Sequence, residues 1–214
     1  MKLLIYTANL GNFDKVQRHV EQELPEGINS IEYWRCTDDD YPPRINAMTP
    51  RLQARIVKMF GWQFKPDFDY YLWVDSSHRL HKPDLAKFFV DKLWNSDVAV
   101  FEHPDRKTIQ DEANYLYERL QLEAMGKKKQ YIIPRYENED IDGILREVDP
   151  SAPLYATTAY IYRNTPEVQK ALKEWWYTTS RFHSIDQLGF TDAFKDLRIA
   201  TIREKYFEVM ESIR

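Results

Sequence analysis

The sequence predicts an α/β protein in which a mixed, mainly parallel sheet is flanked by helices within a single domain, residues 1–214. Strand-like and helix-like segments alternate through the first half of the chain, as they do in βαβ units. A length of 214 residues lies at the upper end of one domain. With only 6 glycines an all-β chain full of tight turns is disfavoured, and an apolar fraction of 43% suffices for an ordinary core.

Each predicted element rests on its own pattern of apolar residues. Short apolar runs bounded by turn residues predict strands, and apolar residues three or four apart predict amphipathic helices. Asn12 and Pro50 stand where the first two helices would begin, as an N-cap and a first-turn proline. In chain order the predicted elements are a strand at 3–7, a helix at 13–24, a strand at 31–36, a helix at 50–61, a strand at 70–74, a helix at 84–94, a strand at 98–101, a helix at 108–125 closed by Gly126, an extended segment at 155–162, helices at 167–177 and 185–194, and a last strand at 197–202.

Polar loops directly follow the first four predicted strands. They occupy residues 7–12, 37–40, 75–78 and 102–106. Because ligands of open parallel sheets bind beyond the carboxyl ends of the strands, we expect these loops to meet at one ligand-binding edge. Asp75 should then lie at that edge, close to the ends of the first two strands.

Composition narrows the classes of function. Thirty basic and 34 acidic side chains give a net charge of −4, so no global field attracts the protein to nucleic acid or to an anionic membrane. The single cysteine, Cys36, has no partner for a disulfide within the chain. The apolar run at the N-terminus ends at Thr7, too short for a signal peptide, and no stretch approaches the ~20 apolar residues of a membrane span. We therefore expect a cytoplasmic protein without a membrane-spanning segment.

Asp75 is a candidate metal ligand. The apolar strand at 70–74 leads straight into Asp75-Ser76-Ser77-His78. A carboxylate there suits a divalent cation, which takes oxygen ligands and neutralises a bound diphosphate. Ser77 stands where a second carboxylate would complete an Asp-x-Asp triplet, and its hydroxyl is a weaker, neutral ligand. The competing interpretation is that Asp75 caps the turn after its strand.

An ordered set of short motifs spans residues 6–190. The motifs are Tyr6-Thr7-Ala8 with Gly11 and Asp14, Thr37-Asp38, Ala54-Arg55 with Lys58, Trp73-Val74-Asp75 with Ser77, His103 with Arg106, Asp111-Glu112-Ala113, Trp175-Trp176, and Asp186-Gln187-Leu188 with Phe190. Together they resemble a glycosyltransferase-like domain family, formerly of unknown function, with plant cell-wall and turgor-related, bacterial and viral members. The chain departs from the family pattern at Ile185, where Arg is frequent, and at Gly189, where Ser is frequent.

The resemblance implies a GT-A, Rossmann-like fold and a nucleotide-sugar donor, with a UDP-sugar expected. Arg55 and Lys58 lie three positions apart on one helix face, where they would meet the diphosphate. The competing interpretation for this pair is a solvated helix face. Asp38 would reach the base or the ribose, and two threonines in the extended segment would contact the sugar. The donor-binding residues so implied are Tyr6, Thr7, Ala8, Asp38, Arg55, Lys58, Asp75, Ser77, Thr157 and Thr158.

Asp186 and Gln187 are the candidate catalytic residues. The pair also resembles the Asp-Gln pair of glycogenin-like retaining transferases, which contacts the donor sugar near its anomeric carbon. Asp186 would act either as a general base on the acceptor hydroxyl or as a charge that stabilises an oxocarbenium-like transition state. Retention and inversion both stay open.

The cation is expected to be Mn²⁺ or Mg²⁺. Its ligands would be Asp75, Ser77 and His183, the last through a neutral imidazole. His103, Arg106 and Glu112 match the family pattern as further site candidates, although each of these three also suits an ordinary loop or surface position.

Three other functions compete with a transferase acting on a glycan or small-molecule acceptor. The first is a nucleotide- or sugar-binding module without catalysis, since Ser77 weakens the metal triplet. The second is a nucleotidyltransferase, although residues 9–12 hold one glycine instead of a glycine-rich phosphate loop. The third is a viral-type transferase that glycosylates a modified DNA base, with residues 127–129 and Arg135 as a phosphate-binding patch.

Overall fold

The computed structural model describes residues 1–11, 14, 18–44, 46–124 and 140–213. Its strands are β1 (Lys2–Ala8), β2 (Ser30–Cys36), β3 (Tyr70–Val74), β4 (His78–Arg79), β5 (Val98–Glu102), β6 (Tyr155–Arg163), β7 (Ile199–Ile202) and β8 (Glu211–Ser212). Its helices are α1 (Pro50–Phe64), α2 (Leu85–Leu93), α3 (Ile109–Ala124), α4 (Ile141–Glu147), α5 (Pro166–Arg181), α6 (Gln187–Ala193) and α7 (Tyr206–Val209).

Six of the strands form one sheet in the order β2-β1-β3-β6-β5-β7. β1 is parallel to β2 and β3, and β5 is parallel to β7. β6 alone runs antiparallel, between β3 and β5. The predicted mixed, mainly parallel sheet is therefore confirmed. Five strands end at the same edge, and β6 begins there.

The sheet is covered on both faces, as the alternation of β1 shows. Leu4 and Tyr6 of β1 pack into an apolar cluster with side chains of α1, α5 and α6. Leu3 and Ile5 point the other way, into a cluster that includes side chains of α2. A third apolar cluster joins α3, α4 and the start of α6 beside the carboxyl edge. The helices that carry the predicted site residues thus dock around one end of the sheet.

Local signals explain where the two main helices begin. Thr49 caps α1 by accepting a hydrogen bond from the amide of Leu52, and Pro50 occupies the first turn. α5 begins in the same way, with Thr165 as the cap and Pro166 after it. The predicted helix starts near residues 50 and 167 are confirmed.

A bulge in β6 turns one side chain toward the edge of the sheet. Tyr160 pairs with Val100, but the next residue of β5, Phe101, pairs with Ala156, so residues 157–159 have no partners on β5. Such a bulge re-aims side chains and bends the strand. It places Thr157 on the α1 side together with Tyr160, although strict alternation would put residues three apart on opposite faces.

The predicted helix at 13–24 is wrong for residues 18–24, which are irregular. The amide of Val20 donates to the carbonyl of Leu80 (2.9 Å), and the amide of Glu23 donates to that of Pro83 (2.8 Å). Backbone hydrogen bonds with a segment about 60 residues away in sequence therefore hold these residues in an irregular conformation, despite the helical spacing of their apolar side chains. The expected cap Asn12 lies outside the described residues.

Some other expectations lie wholly or partly outside the described residues. These are the helix end at Gly126 and the proposed patch of residues 127–129 with Arg135. In the part of the chain that the structure describes, no helix has the length and apolar character needed to cross a membrane. The short elements α4, α7 and the β4–β8 ribbon were not predicted.

Candidate active site

Asp75 lies at the carboxyl edge of the sheet, where the sequence predicts it. It follows β3 directly, and β3 pairs with β1 up to the contact of Trp73 with Tyr6. Its amide donates to the carbonyl of Thr158 on β6 (2.8 Å), and its Oδ1 accepts a hydrogen bond from the indole of Trp73 (2.7 Å). The first two strands end at this same edge, so the expected placement of Asp75 is confirmed.

Four charged side chains from three segments, including Asp75, meet at this edge. Nζ of Lys58 lies 3.7 Å from Oδ1 of Asp75 and 2.5 Å from Oδ2 of Asp186. The guanidinium of Arg55 lies 3.9 Å from Asp75 and 3.3 Å from Asp186. We call Arg55, Lys58, Asp75 and Asp186 the charge cluster. The two cations share a face of α1 as predicted, but that face meets carboxylates instead of solvent.

Lys58 is the buried centre of this cluster, with 1% of its surface exposed. Besides Asp186, its Nζ donates to the carbonyl (2.7 Å) and to Oγ1 (3.2 Å) of Thr157. Burial lowers the pKa of Lys58, and the charges of Asp186 and Asp75 oppose this change. Three ring centroids lie 5.5–5.9 Å from Nζ, those of Trp73, Tyr160 and Trp175. The side chain is therefore enclosed on these sides by aromatic rings of the protein.

Asp186 is also buried, at 3% exposure, and occupies the position before the first residue of α6. Oγ1 of Thr157 donates to its Oδ2 (3.1 Å), and the indole of Trp175 donates to its carbonyl (2.6 Å). Burial raises the pKa of Asp186, but the charges of Arg55 and Lys58 outweigh burial and hold the pKa at about 2. Asp186 is therefore a fixed negative charge at neutral pH.

A second set of predicted residues adjoins Asp186. Oε2 of Glu112 accepts from Nε of Arg106, and Oε1 accepts from Nε2 of Gln187 (3.3 Å). Nη2 of Arg106 lies 2.9 Å from Nε2 of His103. We call His103, Arg106, Glu112 and Gln187 the Glu112 network. Since Gln187 follows Asp186 in the chain, the network and the charge cluster form one continuous site.

The His103 ring is held inside the protein. Its Nδ1 accepts from the amides of Asp105 (3.2 Å) and Arg106 (3.1 Å). Burial lowers the pKa of His103 to about 4, and the charge of Arg106 adds to this effect. His103 is therefore neutral at physiological pH, and its ring lies against Arg106, which in turn binds the carboxylate of Glu112.

The three proposed cation ligands differ in what they offer. The Asp75 side chain is 29% exposed, and no described residue hydrogen-bonds its Oδ2, so a carboxylate oxygen of the type that Mg²⁺ or Mn²⁺ takes is accessible there. Ser77 is buried, and its Oγ lies 3.0 Å from Nδ1 of His78. Among the described residues, no three His, Cys, Asp or Glu side chains are grouped as ligands. Asp75 thus offers one accessible carboxylate oxygen, and a cation held there stays a prediction.

His183 does not present a lone pair for a cation in this structure. Its Nδ1 accepts a hydrogen bond from the amide of Ile185 (2.9 Å), so the ring proton of the neutral imidazole lies on Nε2. Burial lowers the pKa of His183 to about 4, with a smaller contribution from the charge of Arg51. Ligation by His183 stays a prediction, and the hydrogen bond to Ile185 disfavours it.

The predicted nucleoside-binding residues lie around the end of β1. Tyr6 is completely buried, and its hydroxyl donates to the carbonyl of Lys58 (2.6 Å). It therefore holds the backbone of one residue of the charge cluster. Oγ1 of Thr7 is buried without a hydrogen-bond partner among the described residues. Both carboxylate oxygens of Asp38 accept from the amide of Gly11 (2.9 and 3.1 Å). Contacts of Tyr6, Thr7, Ala8 and Asp38 with a nucleoside stay predictions.

Sequence reasoning missed two residues that act on the site. Arg51 contributes to the lowered pKa values of Asp186 and His183, and its spacing of four from Arg55 on α1 would have indicated a shared face. The ring of Tyr115 lies 4.1 Å beneath the Arg106 guanidinium, on α3 one turn after Glu112. Trp175, which belongs to the family motifs, hydrogen-bonds the backbone of Asp186.

The fold and the site define a Rossmann-like α/β protein with charged side chains gathered at the carboxyl edge of its sheet. The family model of the TOD1/MUCI70 glycosyltransferase-like domain matches residues 12–212, and the chain belongs to this family. No curated protein matches the chain in sequence.

Two solved structures are distantly similar to the chain. A 4-diphosphocytidyl-2C-methyl-D-erythritol synthase from Anaerococcus prevotii is 9% identical, with a TM-score of 0.45 over 95% of this chain and 89% of that chain. A197 from STIV is 9% identical, with a TM-score of 0.33 over 95% of this chain and 82% of that chain. Similarity at this level carries no argument about function.

Proposed function

We propose that the protein is a glycosyltransferase that moves a sugar from a UDP-sugar donor to a hydroxyl of a glycan or small-molecule acceptor, assisted by Mn²⁺ or Mg²⁺. Membership of a glycosyltransferase-like family supports a transferase. The observation that carries the finer proposal is the charge cluster, in which Lys58 and Asp186, 128 positions apart, meet beside Asp75 at the ligand-binding edge.

Asp75 and Arg55 would bind the diphosphate end of the donor. Asp75 has an accessible oxygen for a cation, and the cation would supply charge that neutralises the leaving diphosphate. Arg55 carries a planar guanidinium at the rim of the cluster, suited to phosphate oxygens. Lys58, in contrast, acts through Asp186 and Thr157, which occupy its three donor directions.

Asp186 is better suited to charge stabilisation than to proton abstraction. A general base works best with a pKa near the working pH, and the pKa of Asp186 is held at about 2 by Arg55 and Lys58 against the effect of burial. A permanently ionised carboxylate in a buried site stabilises positive charge that develops at an anomeric carbon. Among the two roles predicted for Asp186, its environment supports the second.

Asp75→Asn tests this function. We expect it to abolish Mn²⁺-dependent binding and turnover of UDP-sugars while the melting temperature of the ligand-free protein changes little, because an amide cannot replace the charge of a metal-bound carboxylate. Binding is measured by calorimetry with UDP-glucose, UDP-galactose and UDP-N-acetylglucosamine, with and without Mn²⁺, and turnover by release of UDP.

The matched control is Asp91→Asn, which removes a carboxylate from an exposed pair with Lys87 on α2. It should bind and turn over donor like the parent. Equal Mn²⁺-dependent turnover by Asp75→Asn and the parent would assign Asp75 to capping its turn instead.

A binding module without catalysis is the second candidate, favoured by the burial of Ser77 and its contact with His78. With Ser77 so engaged, Asp75 is left as the one proposed ligand with an accessible oxygen. Binding of UDP-sugars by the parent, with neither hydrolysis nor transfer of the sugar, is the outcome expected of this alternative.

A further inference from the structure

We propose that Glu112 is a positioning residue that sets the orientation of the Gln187 amide, so that Gln187 presents its carbonyl oxygen to the donor sugar and selects for a sugar hydroxyl. The proposal rests on the proposed function, because it takes the group bound next to Asp186 to be the sugar of a nucleotide-sugar. It adds a residue that controls sugar recognition without touching the sugar.

The burial of Glu112 is the first observation. The residue lies on α3, is 2% exposed, and is held by the guanidinium of Arg106 at one oxygen. Burying a carboxylate costs free energy unless it is paired. An ionised carboxylate only accepts hydrogen bonds, so its neighbours must donate. Its other oxygen, Oε1, lies 3.3 Å from the side-chain nitrogen of Gln187.

This contact decides which way the Gln187 amide points. An amide carries one acceptor oxygen and one NH₂ group of nearly equal shape, so its orientation follows from its hydrogen-bond partners. Only the NH₂ group satisfies the carboxylate of Glu112, and Oε1 of Gln187 is therefore turned away from it. No described residue hydrogen-bonds that oxygen, and Gln187 is half-buried beside Asp186. An acceptor is thus held ready for a hydroxyl.

Arg106 keeps Glu112 from rotating. Its Nε donates to Glu112, its Nη2 contacts His103, and its plane rests on the Tyr115 ring at 4.1 Å. The guanidinium is therefore held through its Nε by Glu112 and on one face by the Tyr115 ring. A rigid donor on one side of Glu112 leaves one oxygen for Gln187, so the geometry of the amide is set by buried groups before any ligand arrives.

Glu112→Gln is the variant that separates orientation from shape. The new amide keeps its oxygen on Arg106 and turns its NH₂ group toward Gln187, which must then flip and present its own NH₂ group to the sugar. The sugar hydroxyl can then keep a hydrogen bond only by turning to accept from that NH₂ group. The ratio to measure is the Kd of UDP divided by the Kd of the best-bound UDP-sugar. We expect this ratio to fall by up to about tenfold, the value for complete loss of one good hydrogen bond. The Kd of UDP itself should change less than about twofold.

Glu118→Gln is the control, because Glu118 is an exposed glutamate on the same helix and its replacement changes the charge equally. Its ratio should match that of the parent. Gln187→Ala removes the amide with Glu112 and Arg106 left in place, and should lower the ratio by a similar factor. The double variant should lose no more than either single one, since the two residues act through one interaction.

The outcomes distinguish the two levels of the proposal. A parent that binds UDP-sugars, with Glu112→Gln keeping the full ratio, overturns the role of Glu112 and leaves the proposed function standing. A parent that binds a UDP-sugar no more tightly than UDP overturns the sugar contact of Gln187. A parent that binds neither UDP nor UDP-sugars overturns the proposed function and this inference with it. If Glu112→Gln does not fold, an unchanged ratio in Gln187→Ala overturns the inference.

Discussion

Lys58 and Asp186 stabilise each other at a site where either charge alone would be costly. Each is nearly inaccessible to water, and the two are in direct contact at 2.5 Å. Removing one member of a buried ion pair leaves an uncompensated charge and costs about 3–5 kcal/mol. Asp186 is consequently held in one position and in one ionisation state, which is what a charge near a reacting centre requires.

The pKa of Asp186 predicts how stability depends on pH. Arg55 and Lys58 lower this pKa from its ordinary 3.8 to about 2, against the effect of burial. The folded state therefore holds the proton less tightly than the unfolded state. The resulting stabilisation is complete above about pH 4 and is lost as the pH falls toward 2. At 1.36 kcal/mol per pKa unit, the difference between 3.8 and about 2 corresponds to roughly 2 kcal/mol.

Urea unfolding between about pH 5 and 2.5 measures most of this contribution. It appears as the extra loss of unfolding free energy in the parent relative to Asp186→Asn. We expect a steeper decline for the parent. Asp91→Asn, at the surface of α2, should follow the parent curve. Parallel curves for the parent and Asp186→Asn would show that folding does not lower the pKa of Asp186.

At the scale of secondary-structure elements, the close approach of α1 to β1 places the cations of the cluster. α1 is kinked at Phe60, whose dihedral angles (φ −118°, ψ 21°) are not helical. The next residue, Gly61, faces the ring of Tyr6, and an added Cβ would lie 2.4 Å from Cε2 of that ring. Only a residue without a side chain lets the helix reach the sheet here. The same approach lets the Tyr6 hydroxyl bond the carbonyl of Lys58.

Gly61→Ala should therefore destabilise the protein, although alanine is the better helix former. We expect a loss of about 1–3 kcal/mol in the free energy of unfolding, because the methyl group forces α1 and the Tyr6 ring apart. Urea denaturation checks this value. Gln63→Ala, at an exposed position of the same helix, should change stability by less than about 0.5 kcal/mol. A stabilised Gly61→Ala would mean that helix propensity outweighs the contact with Tyr6.

At the scale of the whole molecule, the C-terminal segment returns to the loop that carries Asp75. β8 pairs with β4, Arg79 forms an ion pair with Glu211 at 2.5 Å, and the amide of Ile213 donates to the carbonyl of Ser77 (2.9 Å). Met210, directly before β8 and 1% exposed, packs into the apolar cluster that includes side chains of α2. The last residues of the chain thus hold the loop after β3 against the sheet.

Met210→Ala tests how strongly this segment is attached. We expect a loss of about 2–5 kcal/mol in the free energy of unfolding, the usual cost of truncating a buried side chain. Phe207→Ala is the comparison from the same segment, since Phe207 is 49% exposed and its loss should cost much less. Equal effects of the two substitutions in urea unfolding would contradict the packing described for Met210.

Most strands and helix starts were predictable because they depend on signals close in sequence. Apolar runs of the strand type and a first-turn proline such as Pro50 act over a few positions. The location of Asp75 followed from one more rule, that parallel strands end at a common edge. The helix predicted at 13–24 was wrong over residues 18–24 because their backbone hydrogen-bonds the segment at 80–83, which is far away in the chain.

The sequence by itself determined the sheet, the edge at which the site lies, and most of the residues that gather there. Only the tertiary structure decided what those residues do to one another. Lys58 was expected to face a diphosphate. Rings from β3, β6 and α5 enclose it instead, and its ammonium group forms an ion pair with Asp186. Local patterns carry no information on such an enclosure, because burial and charge pairing depend on segments that meet only when the chain is folded.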